Sequence, residues 1–192
     1  MSIKLVVGLG NPGKEYLDTR HNMGFKLIDM LAEDLNNVRY KDDFNAKYSK
    51  CELEGQQFYI MKPMTYMNLS GQAVVPFCKY FKIDPSEIIV LCDDLALEPG
   101  RFRMRMNGSS GGQKGLKNII DLFNTQEIKR IRIGIGEPHG ANIVDYVLGV
   151  PDKDEQSKIA NALDAALFAL KYALVSQDFL KTMSRFNTNQ IL

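Results

Sequence analysis

His21 is the side chain best suited by type and place to move a proton. It is one of only two histidines in the chain, and it stands eight residues beyond the turn Gly8-Leu9-Gly10-Asn11-Pro12-Gly13. A free imidazole titrates at about pH 6.5, so a large share is neutral at pH 7 and can take a proton from water. A carboxylate behind such a ring would fix its tautomer and stabilise the imidazolium. Asp93 and Asp94, which close the apolar run 87–92, are the acids placed for this, and spacing alone prefers neither. Asn11 and Asn68 lie in two different loops. Each amide offers a carbonyl and an NH2, which suits a peptide group or a developing oxyanion. No G-x-S-x-G turn marks a serine nucleophile. Two histidines and three cysteines without a C-x-x-C pair argue against a metal site and a disulfide framework.

The glycine turn also matches G-x-G-x-x-G, the fingerprint of a dinucleotide site. That site needs a helix opening at the third glycine and an acid at a second strand end about 20 residues on. Here Lys14 to Thr19 lacks helical spacing, and apolar periodicity begins only with Met23, Leu27, Met30 and Leu31. A tight turn ending a buried strand fits better, and no cofactor is expected.

Around these residues the sequence supplies elements of an α/β domain. Residues 3–9 read as a strand buried on both faces, 22–35 as an amphipathic helix, and 47–53 with 57–61 as a hairpin turning at Glu54-Gly55. A helix over 70–81 carries Pro76, which should remove a backbone bond or kink it. A strand over 87–92 leads to the acid pair. In 101–106 strict alternation puts three arginines on one face and three apolar side chains on the other. The glycine-rich loop 108–112 precedes a helix with Leu116, Ile119, Ile120 and Phe123 inward. A strand over 130–136, a long helix from residue 152 and a shorter one over 179–186 complete the order. The hairpin makes an all-parallel sheet unsuitable, so the expectation is one domain over 1–192 with a central mixed sheet flanked by helices. At 192 residues and 45% apolar content the chain can bury one full core.

Residues 1–7 are too short for a signal peptide, and the apolar stretch 165–175, interrupted by Lys171, is too short to span a bilayer. The expectation is a cytoplasmic, soluble protein. Net charge is +1, but residues 99–134 hold eight basic residues against two acids, leaving −5 elsewhere. A polyanion would meet a local patch.

Four blocks together resemble the bacterial-type peptidyl-tRNA hydrolase family. They are V-G-L-G-N-P-G-x-x-Y-x-x-T-R-H-N (7–22), T-Y-M-N-L-S-G (65–71), G-S-S-G-G-x-x-G-L-K (108–117) and R-I-R-I-G-I-G (130–136). The resemblance implies cleavage of the ester joining a peptide to the 3′ ribose of tRNA, without metal or cofactor. It assigns His21 as base and Asp93 as its orienting acid. Asn11 and Asn68 would hold the substrate's peptide group, with Asn11 favouring blocked over free amines. Tyr16 and Tyr66 would line the region of the tRNA 3′ end, and Arg105 and Arg132 would meet tRNA phosphate. A monomer with no membrane or protein partner is expected.

The pattern breaks at Gln113-Lys114, where the family usually has His-Asn. Lysine has donors only and is charged, so either the amide role is dispensable, or Lys114 meets the 3′-terminal phosphate or carbonyl, or the enzyme is slower. Cys92 and Ala96 also replace a His and an Asp around Asp93-Asp94-Leu95. A non-catalytic RNA-binding relative, of the splicing-factor kind, is the alternative reading; Asn11, His21, Asn68 and Asp93 in one chain favour catalysis. His139 reads as structural, and 108–112 with 140–146 as mobile rims.

Overall fold

The computed structural model describes residues 2–187; Met1 and residues 188–192 of the expected 1–192 domain lie outside the described residues. In chain order the elements are β1 (Leu5–Gly8), α1 (Met23–Leu35), β2 (Lys41–Asp43), β3 (Ala46–Leu53), β4 (Gln56–Pro63), α2 (Gly71–Phe81) and β5 (Ile88–Asp94). There follow β6 (Phe102–Arg105), α3 (Lys114–Phe123), β7 (Lys129–Gly134), α4 (Ile143–Val147), α5 (Lys153–Ser176) and α6 (Phe179–Asn187). The seven strands form one sheet in the order β2-β3-β4-β1-β5-β7-β6. The central pairs β4/β1, β1/β5 and β5/β7 are parallel, and β2/β3, β3/β4 and β6/β7 are antiparallel. The sheet is mixed, as the hairpin demanded.

Strand alternation divides the core between the two faces. Val6, Ile89 and Leu91 pack with α1, α5 and α6, whereas Leu5, Val7, Ile88 and Val90 pack with α2 and α3. Residues 102–105 keep the expected alternation, with Phe102 and Met104 buried and Arg103 and Arg105 exposed. The 24-residue α5 is longer than its apolar stretch and could cross a bilayer by length and composition. Its Ala162, Ala166, Ala169, Leu170 and Ala173 are instead buried in the core.

Two features differ from expectation. The edge strand β2 has no sequence signal, because its Lys41, Asp42 and Asp43 are all exposed. The α4 turn falls where a mobile rim was expected; Asn142 starts it by accepting the Val144 and Asp145 N–H groups. Pro76 lies within α2 without ending it. Both Pro76 and Gln72, whose carbonyl loses its partner, are exposed, so water can satisfy that oxygen.

Glycines set the depth at which α1 rests on the sheet. A Cβ at Gly24 would fall 2.3 Å from both the Leu9 nitrogen and the Leu91 carbonyl oxygen, and one at Gly8 would fall 2.3 Å from the Gly24 oxygen. Backbone atoms occupy these positions, so no side-chain rotation relieves the clash. Gly24→Ala is therefore expected to destabilise the fold by about 3 kcal/mol, in the upper range of overpacking costs. A urea melt of wild type and variant checks this, with an unchanged midpoint as the contrary result.

Candidate active site

The segment before α1 and the end of β5 bring His21 against Asp93. The register of β1 with β5 pairs Gly8 with Leu91, and the Leu9 N–H donates to the Leu91 oxygen at 3.0 Å. The short 3₁₀ turn Arg20–Asn22 then crosses above the strand ends. His21 Nδ1 lies 2.8 Å from Asp93 Oδ2, and both side chains are buried. A carboxylate oxygen accepts, so Nδ1 carries the proton and the Nε2 lone pair is the one left to bind substrate or water. Of the two adjacent acids, Asp93 is the one in contact with His21. Asp94 turns elsewhere, with Oδ1 accepting the Ala96 N–H at 2.9 Å and Oδ2 lying 3.5 Å from Arg132.

Two residues with no role assigned from sequence bond to the site, Gln113 to Asp93 and Asn22 to Asn11. Gln113 Nε2 donates to Asp93 Oδ1 at 3.0 Å while its Oε1 accepts the Leu116 N–H at 2.8 Å, capping α3. Asn22, almost wholly buried, accepts the Asn11 backbone N–H and donates to the Asn11 carbonyl, both at 2.9 Å. Asn11 Oδ1 in turn accepts the Met67 N–H at 2.8 Å. That backbone donor fixes the orientation of the amide, so Asn11 presents its NH2 group to the cleft it lines.

The cleft encloses about 330 Å³. Asn11, His21, Asn68, Asp93, Lys114 and Arg132 all border it, as does Tyr66. Asn68 and Tyr66 are exposed at the rim, on either side of buried Met67. Ile143, Val144, Val147 and Leu148 form an apolar wall opposite. Arg20 anchors that wall beside the histidine: its guanidinium stacks 4.1 Å over the Tyr146 ring, donates to the Tyr146 carbonyl and pairs with Glu155 at 2.9 Å. Ile143 and Val144 are about half exposed, which gives the cleft an apolar surface of its own.

Not every expected site residue converges here. Tyr16 lines a separate, shallower cavity with Pro12, Asn45 and Gln72, and Tyr66 borders both cavities. Arg105 stands exposed on β6, outside the cleft lining. Arg132 reaches the cleft but is engaged by Asp94 and by the Ser109 carbonyl at 3.0 Å. The basic segment is also less available than its charge count implies, since Lys129 and Arg130 are buried. Lys129 donates to the Ser86 carbonyl. Arg130 binds the carbonyls of Ile128, Ser109, Gly108 and Gln126, and burial pulls its pKa down to about 10, with Arg132 adding to the effect. The loop 108–112 is thus tied to the sheet by two guanidiniums, where sequence suggested a loose rim. Lys114 is exposed and has no acidic partner among the described residues. No cluster of three metal-ligating side chains occurs among the described residues.

A mixed-sheet α/β domain with a buried histidine–carboxylate pair and amide donors in one cleft has the equipment of a hydrolase. Comparison with known proteins makes the class particular. The chain matches the Peptidyl-tRNA hydrolase family over residues 5–192. It is 42% identical over 187 residues to the peptidyl-tRNA hydrolase of Lactococcus lactis subsp. cremoris, covering 96% of this chain and 99% of the relative. The Bacillus subtilis peptidyl-tRNA hydrolase is 44% identical, with 95% and 97% covered. The crystal structure of the Acinetobacter baumannii peptidyl-tRNA hydrolase superposes with a TM-score of 0.90 at 39% identity, covering 96% of this chain and 94% of that one. The chain belongs to the peptidyl-tRNA hydrolase family and is a hydrolase.

Cys92, next to Asp93, is wholly buried, and desolvation followed by the Asp93 charge pushes its thiol up to about 12; burial also pushes Cys78 up to about 12. Both thiols therefore stay protonated well into alkaline solution. Native protein at pH 8.5 is expected to leave them unmodified by iodoacetamide, with labelling only after denaturation. Peptide mapping checks this, and rapid native labelling of Cys92 would contradict the packing described.

Proposed function

We propose that this chain hydrolyses the ester between an N-blocked peptide, or N-acyl-aminoacyl group, and the 3′ ribose of tRNA. It would thereby recycle tRNA from peptidyl-tRNA released by stalled ribosomes. The observation that carries the residue roles is the 2.8 Å contact of His21 Nδ1 with Asp93, which leaves Nε2 available at the cleft.

In this reading Nε2 takes a proton from a water as the water oxygen attacks the ester carbonyl carbon, and Asp93 stabilises the imidazolium that forms. The carbonyl oxygen becomes an oxyanion facing the amide donors of Asn11 or Asn68. Collapse breaks the bond to the 3′ oxygen, which takes the proton back from His21. The products are a carboxylic acid, which releases its proton to solvent to become a carboxylate, and a tRNA 3′ hydroxyl, with no redox change.

The Asn11 NH2 group suits the carbonyl of a blocked amine. A free ammonium would meet a second donor there, giving discrimination by repulsion. The apolar wall of α4 suits peptide side chains, while Tyr66 and Tyr16, bordering the adjoining cavity, suit the unpaired 3′ nucleotides. Lys114 at the rim is placed to meet a substrate phosphate or carbonyl. Arg105, with Arg132 beside the cleft, would contact phosphates without reading sequence, so binding should weaken steeply with salt. The three buried thiols suit a reducing compartment such as the cytoplasm, and we take the working form to be a monomer.

Release of labelled N-acetyl-aminoacyl groups from tRNA, beside unblocked aminoacyl-tRNA, tests the reading. Wild type is expected to cleave only the blocked ester, and His21→Ala to lose roughly 10²–10⁴-fold. Arg105→Glu is expected to raise KM several-fold and flatten the salt dependence while sparing kcat. Equal cleavage of both esters, or full activity in His21→Ala, would reject the assigned roles.

A further inference from the structure

Gln113 borders the cleft, but both polar atoms of its side chain are committed to protein partners, Asp93 and the Leu116 N–H. Its Oε1 faces a backbone donor, the Leu116 N–H, so the amide cannot flip without placing NH2 against N–H. Nε2 is consequently held toward Asp93 Oδ1, and lies 3.3 Å from Met67 Sδ. The main chain of the same residue is fixed as well, donating to the Ser110 carbonyl at 3.2 Å and accepting the Lys117 N–H at 2.9 Å. The two oxygens of Asp93 are therefore divided: Oδ2 to His21 and Oδ1 to Gln113.

We infer that Gln113 is a positioning residue for the hydrolysis, orienting the Asp93 carboxylate from the first turn of α3 and through it the plane of the His21 ring. The consequence runs around a closed circuit. His21 is bonded to Asp93, Asp93 to Gln113, and Gln113 contacts Met67. The Met67 N–H holds Asn11, whose backbone is clasped by Asn22, the chain neighbour of His21. The glycine-rich loop, the Met67 turn and the α1 entry are thereby set relative to one another around the reacting atoms. A carboxylate with one unpaired buried oxygen could rotate toward other donors, and its loss of alignment would be felt at Nε2. An amide performs this task without titrating.

The inference rests on the hydrolase reading, and the test separates the two. Gln113→Ser retains a good helix N-cap, but its hydroxyl is too short to reach Asp93. Gln113→His restores one donor and one acceptor in the neutral ring. The expected results for Gln113→Ser are a melting temperature close to wild type, KM within about twofold, and kcat lower by at least about tenfold, the scale by which outer-shell partners of metal-bound histidines act. Gln113→His should recover most of that loss. In a His21→Ala background, Gln113→Ser should cost nothing further, because both act through one unit. The downfield proton resonance of His21 Nδ1–H, read without substrate, should weaken or vanish in Gln113→Ser. Wild-type kcat and an unchanged resonance in Gln113→Ser would overturn the inference, as would a loss that adds in full to that of His21→Ala. Failure of wild type itself to cleave N-acetyl-aminoacyl-tRNA would count against the hydrolase reading, while the resonance would still decide whether Gln113 orients the pair.

Discussion

The buried hydrogen bond between His21 and Asp93 is the constraint around which the rest of the structure is arranged. It joins a residue of the α1 entry to the C-terminal end of the inner strand β5, and a 2.8 Å separation tolerates little displacement of either. Parallel pairing with β1 on one side and β7 on the other fixes where β5 ends. Gly8 and Gly24 let α1 approach that end at backbone contact distance, which a methyl group at either position would prevent. The core on both sides of the sheet supplies the stability that keeps these strand ends from shifting, so the chemistry depends on packing some distance from it. Gln113 and Asn22 then use their polar atoms on fixed partners, leaving reactive capacity where the cleft opens.

The electrostatics divide between buried scaffolding and exposed recognition. Arg130 spends its guanidinium on four backbone carbonyls under the glycine-rich loop, and Arg132 secures the same loop while bordering the cleft. Arg103 and Arg105 face solvent from the neighbouring strand. The basic stretch is thus divided, part of its charge fixing one wall of the site and part left exposed beside it. Opposite, Arg20 clamps the α4 wall through Tyr146 and Glu155, so the apolar side of the cleft is attached to the residue preceding the histidine.

Much of this was legible in the sequence because it rests on local periodicity and turn chemistry. The helices after residues 22 and 152, the hairpin at Glu54-Gly55 and the alternation around Phe102 and Met104 all occur as their patterns require. Alternation also contains the answer to Asp93 versus Asp94: Asp93 shares parity with Ile89 and Leu91, which face α1, and His21 enters from that side. Spacing alone could not say which face α1 would cover. What could not be read were facts of burial and partnership. Counting charge did not reveal that Lys129 and Arg130 are interior, and nothing local marks Asn22 as the clasp of Asn11. The departure at Gln113-Lys114 was visible against the family pattern, whereas the bond from Gln113 to Asp93 requires α3 and β5 to meet. The short β2 and α4 carry too few apolar residues for periodicity to register.

The most direct test of the central claim is single-turnover cleavage of N-acetyl-aminoacyl-tRNA by Asp93→Asn. This substitution preserves shape and volume but allows an amide donor to face Nδ1, favouring the opposite tautomer and removing the charge that stabilises the imidazolium. The expected result is a loss of roughly 10³–10⁴-fold in the chemical step with the fold intact. A rate within a few-fold of wild type would contradict it, because His21 would then act without the partner that the structure gives it.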